Sequence, residues 1–213
     1  MVPLKKVDLE WAVRRLPDGV YNIITSNRQV MCGGGFIRAT IAGEEISDID
    51  LFSCDYDSAR TIAKCYEYYE SENAFSFRVD YQKVQIVHRW TFSSLEDLIN
   101  AFDFTISKAA FCLTPSGEWR SLCDDDFYAD LAAKRLVYTN PYPHYAGASI
   151  LRAMKFVKRG YRIAPESIAA IVHKMVSEAK QFDPAATEAS LLQVLREVDP
   201  AIEIPVAVHN MVA

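Results

Sequence analysis

Two glycines and two aspartates, separated by about thirteen residues, are the groups in this sequence best placed to do chemistry. They lie in 34–52, which reads GGFIRATIAGEEISDIDLF. The Gly34-Gly35 pair offers a tight turn in which backbone N–H groups approach an anion closely. A short helix over 36–42, opening straight from that turn, would present its N-terminus to a phosphate. Further on, 46–52 alternates: Ile49 and Leu51 point one way, Asp48 and Asp50 the other, the period of a strand. Two carboxylates at i and i+2 suit a hard divalent cation such as Mg²⁺, which takes oxygen ligands. A triphosphate held by the turn and a metal held by the aspartates are what nucleotidyl transfer requires. Asp48 and Asp50 are therefore the expected catalytic and metal-binding residues. A glycine pair alone is usually only a turn, and Asp-x-Asp alone is common on solvated strands. The order turn, helix, strand is what carries the reading.

The elements that must position these groups follow from periodicity. Helical spacing appears at 8–16, 58–69 and 95–101, and 20–25 (VYNIIT) has the β-branched content of a strand. Two alternating runs, 75–80 and 83–88, flank Tyr81-Gln82 and predict a hairpin. After about residue 124 the texture turns helical, with helices expected over 127–136, 149–160, 165–179 and 185–198. Pro165 suits a first helical turn. The expected architecture is α+β: a mixed α/β part over 1–123, then a helical part over 124–213. Asp124-Asp125-Asp126 cannot all face one ion in regular structure and read as a helix N-terminus.

Composition sets outer bounds. The chain has 213 residues, half of them hydrophobic, and a net charge of −5. No apolar run approaches the ~20 residues of a membrane span. The first residues, MVPLKKVDLEWAVRRL, show no apolar stretch of leader type. Five cysteines, none spaced as CxxC, argue against a disulfide framework or zinc knuckle. A cytoplasmic protein is expected. The acidic balance argues against coating nucleic acid by bulk charge. It leaves room for a local basic site, such as Lys155, Lys158, Arg159 and Arg162 around Tyr161.

Three blocks resemble one family. Gly34, Gly35, Ile37, Arg38, Gly43, Asp48, Ile49 and Asp50 match the nucleotidyltransferase core of class II CCA-adding enzymes and bacterial poly(A) polymerases, whose motif runs GG-x-V-R-D and then D-I-D. The stretch 103–111 (DFTISKAAF) resembles that family's R-D-F-T-I-N-A-L-A-Y, and 150–163 (ILRAMKFVKRGYRI) its L-L-R-A-I-R-F-A-A-R-L-G-F-x-I. The resemblance implies a polymerase-β-like head with a short mixed sheet, followed by a helical neck. It implies a two-metal mechanism, with Mg²⁺ at Asp48 and Asp50 and an NTP as substrate. Gly34, Gly35 and Arg38 would position the triphosphate, and Asp103, Arg152 and Lys155 would also serve the nucleotide. An RNA 3′ end of tRNA type is the acceptor the resemblance favours.

The departures are specific. Ala39 replaces the Asp of V-R-D, and Phe102 replaces the Arg of R-D-F-T. The third carboxylate that such sites place on a later strand is missing from 83–89 (KVQIVHR). Gln85 stands there instead; it cannot take a proton, although its carbonyl oxygen can touch a metal. Asp80 and Asp103 are the candidate substitutes. This gap motivates a second reading, a nucleotide-binding pseudoenzyme or partner-binding module.

Overall fold

The computed structural model describes residues 1–141 and 146–179. The helix expected over 185–198 lies outside the described residues. The chain divides into two compact units, Met1–Ala133 and Lys134–Ala213.

The first unit is built on one seven-stranded mixed sheet. Its strands are β1 (Met31–Gly33), β2 (Ile49–Phe52), β3 (Tyr68–Glu70), β4 (Ala74–Val79), β5 (Gln82–Val87), β6 (Ala109–Leu113) and β7 (Trp119–Cys123), in the order β3-β4-β5-β2-β1-β6-β7. Only the β2–β5 pair is parallel. The helices are α1 (Lys6–Arg14), α2 (Asp18–Ser26), α3 (Gly35–Ala42), α4 (Tyr56–Ala63), α5 (Leu95–Ala101) and α6 (Phe127–Ala132), with a 3₁₀ turn at Thr105–Ser107. The second unit holds β8 (Arg135–Leu136), α7 (Ala146–Lys158), β9 (Arg162–Ile163) and α8 (Pro165–Ala179), with β8 and β9 paired in parallel.

Alternation decides what each sheet face does. On one face Met31, Phe52 and Ala110 form an apolar cluster with Leu95, Leu98 and Ile99 of α5. That helix starts with Ser94, whose Oγ accepts from the Asp97 N–H at 3.1 Å, a cap of the usual kind. The other face carries Cys32, Leu51 and Phe111, all fully buried, with α3 packed against β1, β2 and β6 and α2 against β6. Helix α4 covers β4 and β5. The five cysteines are free, and no helix among the described residues is long and apolar enough to cross a membrane.

Several elements differ from expectation. Residues 20–25 are helical, within α2. The side chains of Val20, Ile23 and Ile24 are buried at i, i+3 and i+4, so burial on a helical stripe overrides β-branched preference. The helix expected over 58–69 ends at Ala63 and gives way to β3. The one expected over 127–136 ends at Ala132, before β8. The 75–88 hairpin is present, but its two-residue turn is Asp80-Tyr81, both with positive φ (50° and 67°), closed by the Val79–Gln82 pair. That is the conformation whose twist suits a tight hairpin.

The turn at Gly34 is the most demanding backbone position near the glycine motif. Its φ of 73° and ψ of −123° suit glycine. A Cβ there would also sit 3.1 Å from the Phe102 ring, whereas one on Gly35 would meet nothing within 4 Å. Gly34→Ala is expected to lower stability by about 1–3 kcal/mol, and Gly35→Ala to shift it by no more than about 1 kcal/mol. Urea unfolding of both variants checks the contrast.

Candidate active site

The ladder brings the two motifs together. Gly33, the last residue of β1, pairs directly with Asp50 in β2. The Gly34-Gly35 turn therefore begins one residue past the strand position facing Asp50. Helix α3 opens at Gly35, and its first intrahelical bond runs from the Arg38 N–H to the Gly34 carbonyl at 3.2 Å. The N–H groups ahead of Arg38 have no partner inside the helix. With open space above Gly35, this is a place where a phosphate oxygen can reach the backbone.

Asp50 lies on the α5 face of the sheet, in the row of Gly33 and Ala110 where the apolar cluster ends, and Asp48 is two residues before it. Both are partly buried. The Asp50 carboxyl is pushed up to about 7, first by burial, then by the neighbouring Asp48 charge, while Lys83 pulls it down. Asp48 accepts from the Ser47 hydroxyl at 2.8 Å, and Lys83 Nζ stands 3.8 Å from its other oxygen. Two carboxylates that repel each other on a half-buried face are a charge pair whose repulsion a divalent cation would relieve.

The parallel pairing of β2 with β5 sets Asp50 beside Gln85. The Gln85 amide donates to Ser76 Oγ at 3.0 Å. A glutamine thus occupies the strand position flanking the aspartates. Among the described residues no group of three His, Cys, Asp or Glu side chains is placed to hold a metal. Asp80 and Asp103 therefore do not complete a carboxylate trio with the pair. The Asp80 carboxylate accepts from the Gly19 N–H at 2.9 Å, in the hairpin turn. Asp103 is buried just before the 3₁₀ turn.

The remaining expected residues fall in two places. Arg38 is buried, and its Nε lies 3.4 Å from Glu44 Oε2. It belongs to a helix that packs against α6 and the 3₁₀ turn, where Asp130 accepts from the Thr105 hydroxyl at 2.6 Å. Arg152 and Lys155 lie on α7 of the second unit, the former half-buried and the latter exposed. Lys158, Arg159 and Arg162 are exposed in the same unit. Phe102 lies against the glycine turn and edge-on to Phe52, with ring centroids 5.8 Å apart. This aromatic contact explains why an apolar residue is at home there. Lys83 was not singled out by the motif reading. The signal was available: it lies two residues before Gln85 on an alternating strand, hence on the same face.

A sequence profile of the Gabija anti-defense 2 family matches residues 4–134. The chain belongs to that family. A curated relative, Gabija anti-defense 2 of Bacillus phage SPbetaL7, is 27% identical over 147 residues, which is 66% of this chain and 36% of the relative. The chain thus spans about a third of that relative's length. Solved structures similar to this Gabija anti-defense 2 family member include CCA-adding enzymes. One is the Thermotoga maritima CCA-adding enzyme complexed with tRNA, with a TM-score of 0.60 at 16% identity, covering 96% of this chain and 58% of that one. Another is a CCA-adding enzyme with CTP, with a TM-score of 0.60 at 18% identity, covering 99% and 53%. The fold is therefore the polymerase-β-like nucleotidyltransferase fold. The likeness to CCA-adding enzymes holds for the fold, and the family is a different one.

The site makes a signed pH prediction. A carboxyl raised in the folded chain stabilises it fully below its unfolded value, near 4, and this contribution is lost as pH rises toward about 7. Asp50→Asn removes that loss. In EDTA, the variant is expected to gain stability over the parent at pH 8, with the gain shrinking toward pH 5. Added Mg²⁺ should then stabilise the parent and not the variant. Urea titrations at the two pH values, with and without Mg²⁺, measure both effects.

Proposed function

We propose that this chain is a Mg²⁺-dependent nucleotidyltransferase that moves a nucleoside monophosphate from an NTP to a hydroxyl, releasing pyrophosphate. We further propose that it uses this reaction to counter the defence named in its family, Gabija. The observation that carries the reading is the pairing of Gly33 with Asp50. It sets the glycine turn and the Asp48/Asp50 pair side by side, which supports a triphosphate held by the one and a cation by the other.

In this reading Asp48 and Asp50 would hold Mg²⁺. When bound, the metal polarises the phosphoryl oxygens and offsets charge on the leaving pyrophosphate. The N–H groups at the start of α3 receive the triphosphate, and Gly35 lets it approach. Gly34 makes the turn that aims those N–H groups. Arg38, paired to Glu44, braces α3 from the buried side and adds positive potential at its N-terminal half. Asp103 supports the segment that packs behind the glycines. The acceptor hydroxyl belongs either to an RNA 3′ end, as in the tRNA-bound fold neighbour, or to a component of the opposed defence.

Gln85 beside Asp50 favours a second reading. Without a carboxylate there, the chain would bind a nucleotide and act by binding alone. One assay separates the two: incubation with each α-labelled NTP, Mg²⁺, total RNA and purified Gabija proteins. Transfer of label to RNA or protein is expected. It should fall by at least about 10²–10³-fold in Asp48→Ala and Asp50→Ala, while both variants keep their circular dichroism. Nucleotide binding without transfer to any acceptor, under Mg²⁺ or Mn²⁺, leaves the binding-only reading.

A further inference from the structure

Resting on the nucleotidyltransferase reading, we propose that Lys83 supplies within the chain the positive charge that a second metal ion provides in a three-carboxylate site. This chain then works with one divalent cation. The placement is set by the ladder. Lys83 and Gln85 are alternate residues of β5, so they project from the same face, and Gln85 is the direct neighbour of Asp50. Lys83 Nζ lies 3.8 Å from Asp48 Oδ2. The start of β5 is tied to β2 by the Gln82 amide, which donates to the Ser47 carbonyl at 3.2 Å. The Lys83 side chain is 47% exposed and Asp48 30%, so the ammonium reaches both the aspartate and anything bound above it.

Charge balance gives this arrangement its meaning. Three carboxylates with two divalent cations leave a site with one net positive charge. Two carboxylates, one ammonium and one divalent cation leave the same net charge. Replacing the flanking carboxylate by Gln85 removes one negative charge and a metal ligand together. An ammonium two residues away makes up what the lost cation contributed. The two substitutions compensate as a pair: a second divalent cation beside Lys83 would meet like-charge repulsion without a third carboxylate to offset it. A lone glutamine with no lysine would leave the triphosphate short of positive charge.

The test counts metal ions. Full-length protein, in excess over a non-hydrolysable α,β-methylene NTP, is titrated with Mn²⁺, and free metal is read by electron paramagnetic resonance. One Mn²⁺ per bound nucleotide is expected in the parent, and two in the double variant Lys83→Met/Gln85→Glu. Lys83→Met alone should weaken nucleotide binding in Mg²⁺ by about tenfold; calorimetry reads this, so the proposal stays testable if the double variant does not fold. Two Mn²⁺ in the parent, one in a folded double variant, or an unchanged affinity in Lys83→Met would each overturn the assignment and leave the nucleotidyltransferase reading standing. A parent that binds no nucleotide would overturn that reading itself.

Discussion

Backbone pairing across β1, β2 and β5 is the constraint on which this site depends. Gly33 faces Asp50, and Asp50 faces Gln85. Three short strands from different parts of the chain thus share one row of the sheet. In that row the side chain of Gly33 is absent, that of Asp50 is a carboxylate and that of Gln85 an amide. A one-residue slip in either pairing would turn a whole strand over and exchange this polar row for the buried Ile49, Leu51, Val84 and Ile86. The hydrophobic face therefore enforces the geometry of the polar one. The register is held chiefly by burial on the far side of the sheet, with the Gln82 amide bond to the Ser47 carbonyl added at its edge.

A second constraint is where the cover stops. Helix α5 closes one end of that sheet face with Leu95, Leu98 and Ile99, and Phe102 ends the closure against the glycine turn. The row of Gly33, Asp50 and Gln85 starts under this closure, with Gly33 beneath Leu98 and Phe102. The same Phe102 ring seals the apolar cluster and borders the glycine turn. The partial burial of Asp50 follows from this boundary, and burial together with the Asp48 charge raises its carboxyl.

Much of this was legible in the residues. The helix at 36–42, the strand bearing Asp48 and Asp50, and the 75–88 hairpin follow from local periodicity, because each buries one clean face. The α2 segment was not legible as a helix, since its run of Val, Tyr and Ile suits a strand until tertiary packing chooses among faces. Strand β6 was hidden because AAFCL is continuous rather than alternating, as expected for a strand covered on both sides. The gap opposite Asp50 was visible as Gln85. What the substitution does there was not, because the lysine beside Asp48 acquires meaning only through the β2–β5 pairing. Arg38 is a similar case: its Glu44 partner lies past the end of the helix, and only the αL turn at Gly43 (φ 67°) brings the chain back toward it.

The hairpin between β4 and β5 is anchored from behind. Asp80 in its turn accepts from the Gly19 N–H, and a Cβ on Gly19 would come within 2.2 Å of Val79 Cγ1. This contact leaves room for nothing larger than hydrogen on the helix side. The strand that carries residues 83 and 85 is thus stiffly mounted, while those two side chains project from its open face. The turn anchors the backbone, and the side chains of residues 83 and 85 take their own partners, Asp48 and Ser76. Exposed Lys83 and half-buried Gln85 can therefore be exchanged while the strand that carries them stays anchored through its turn.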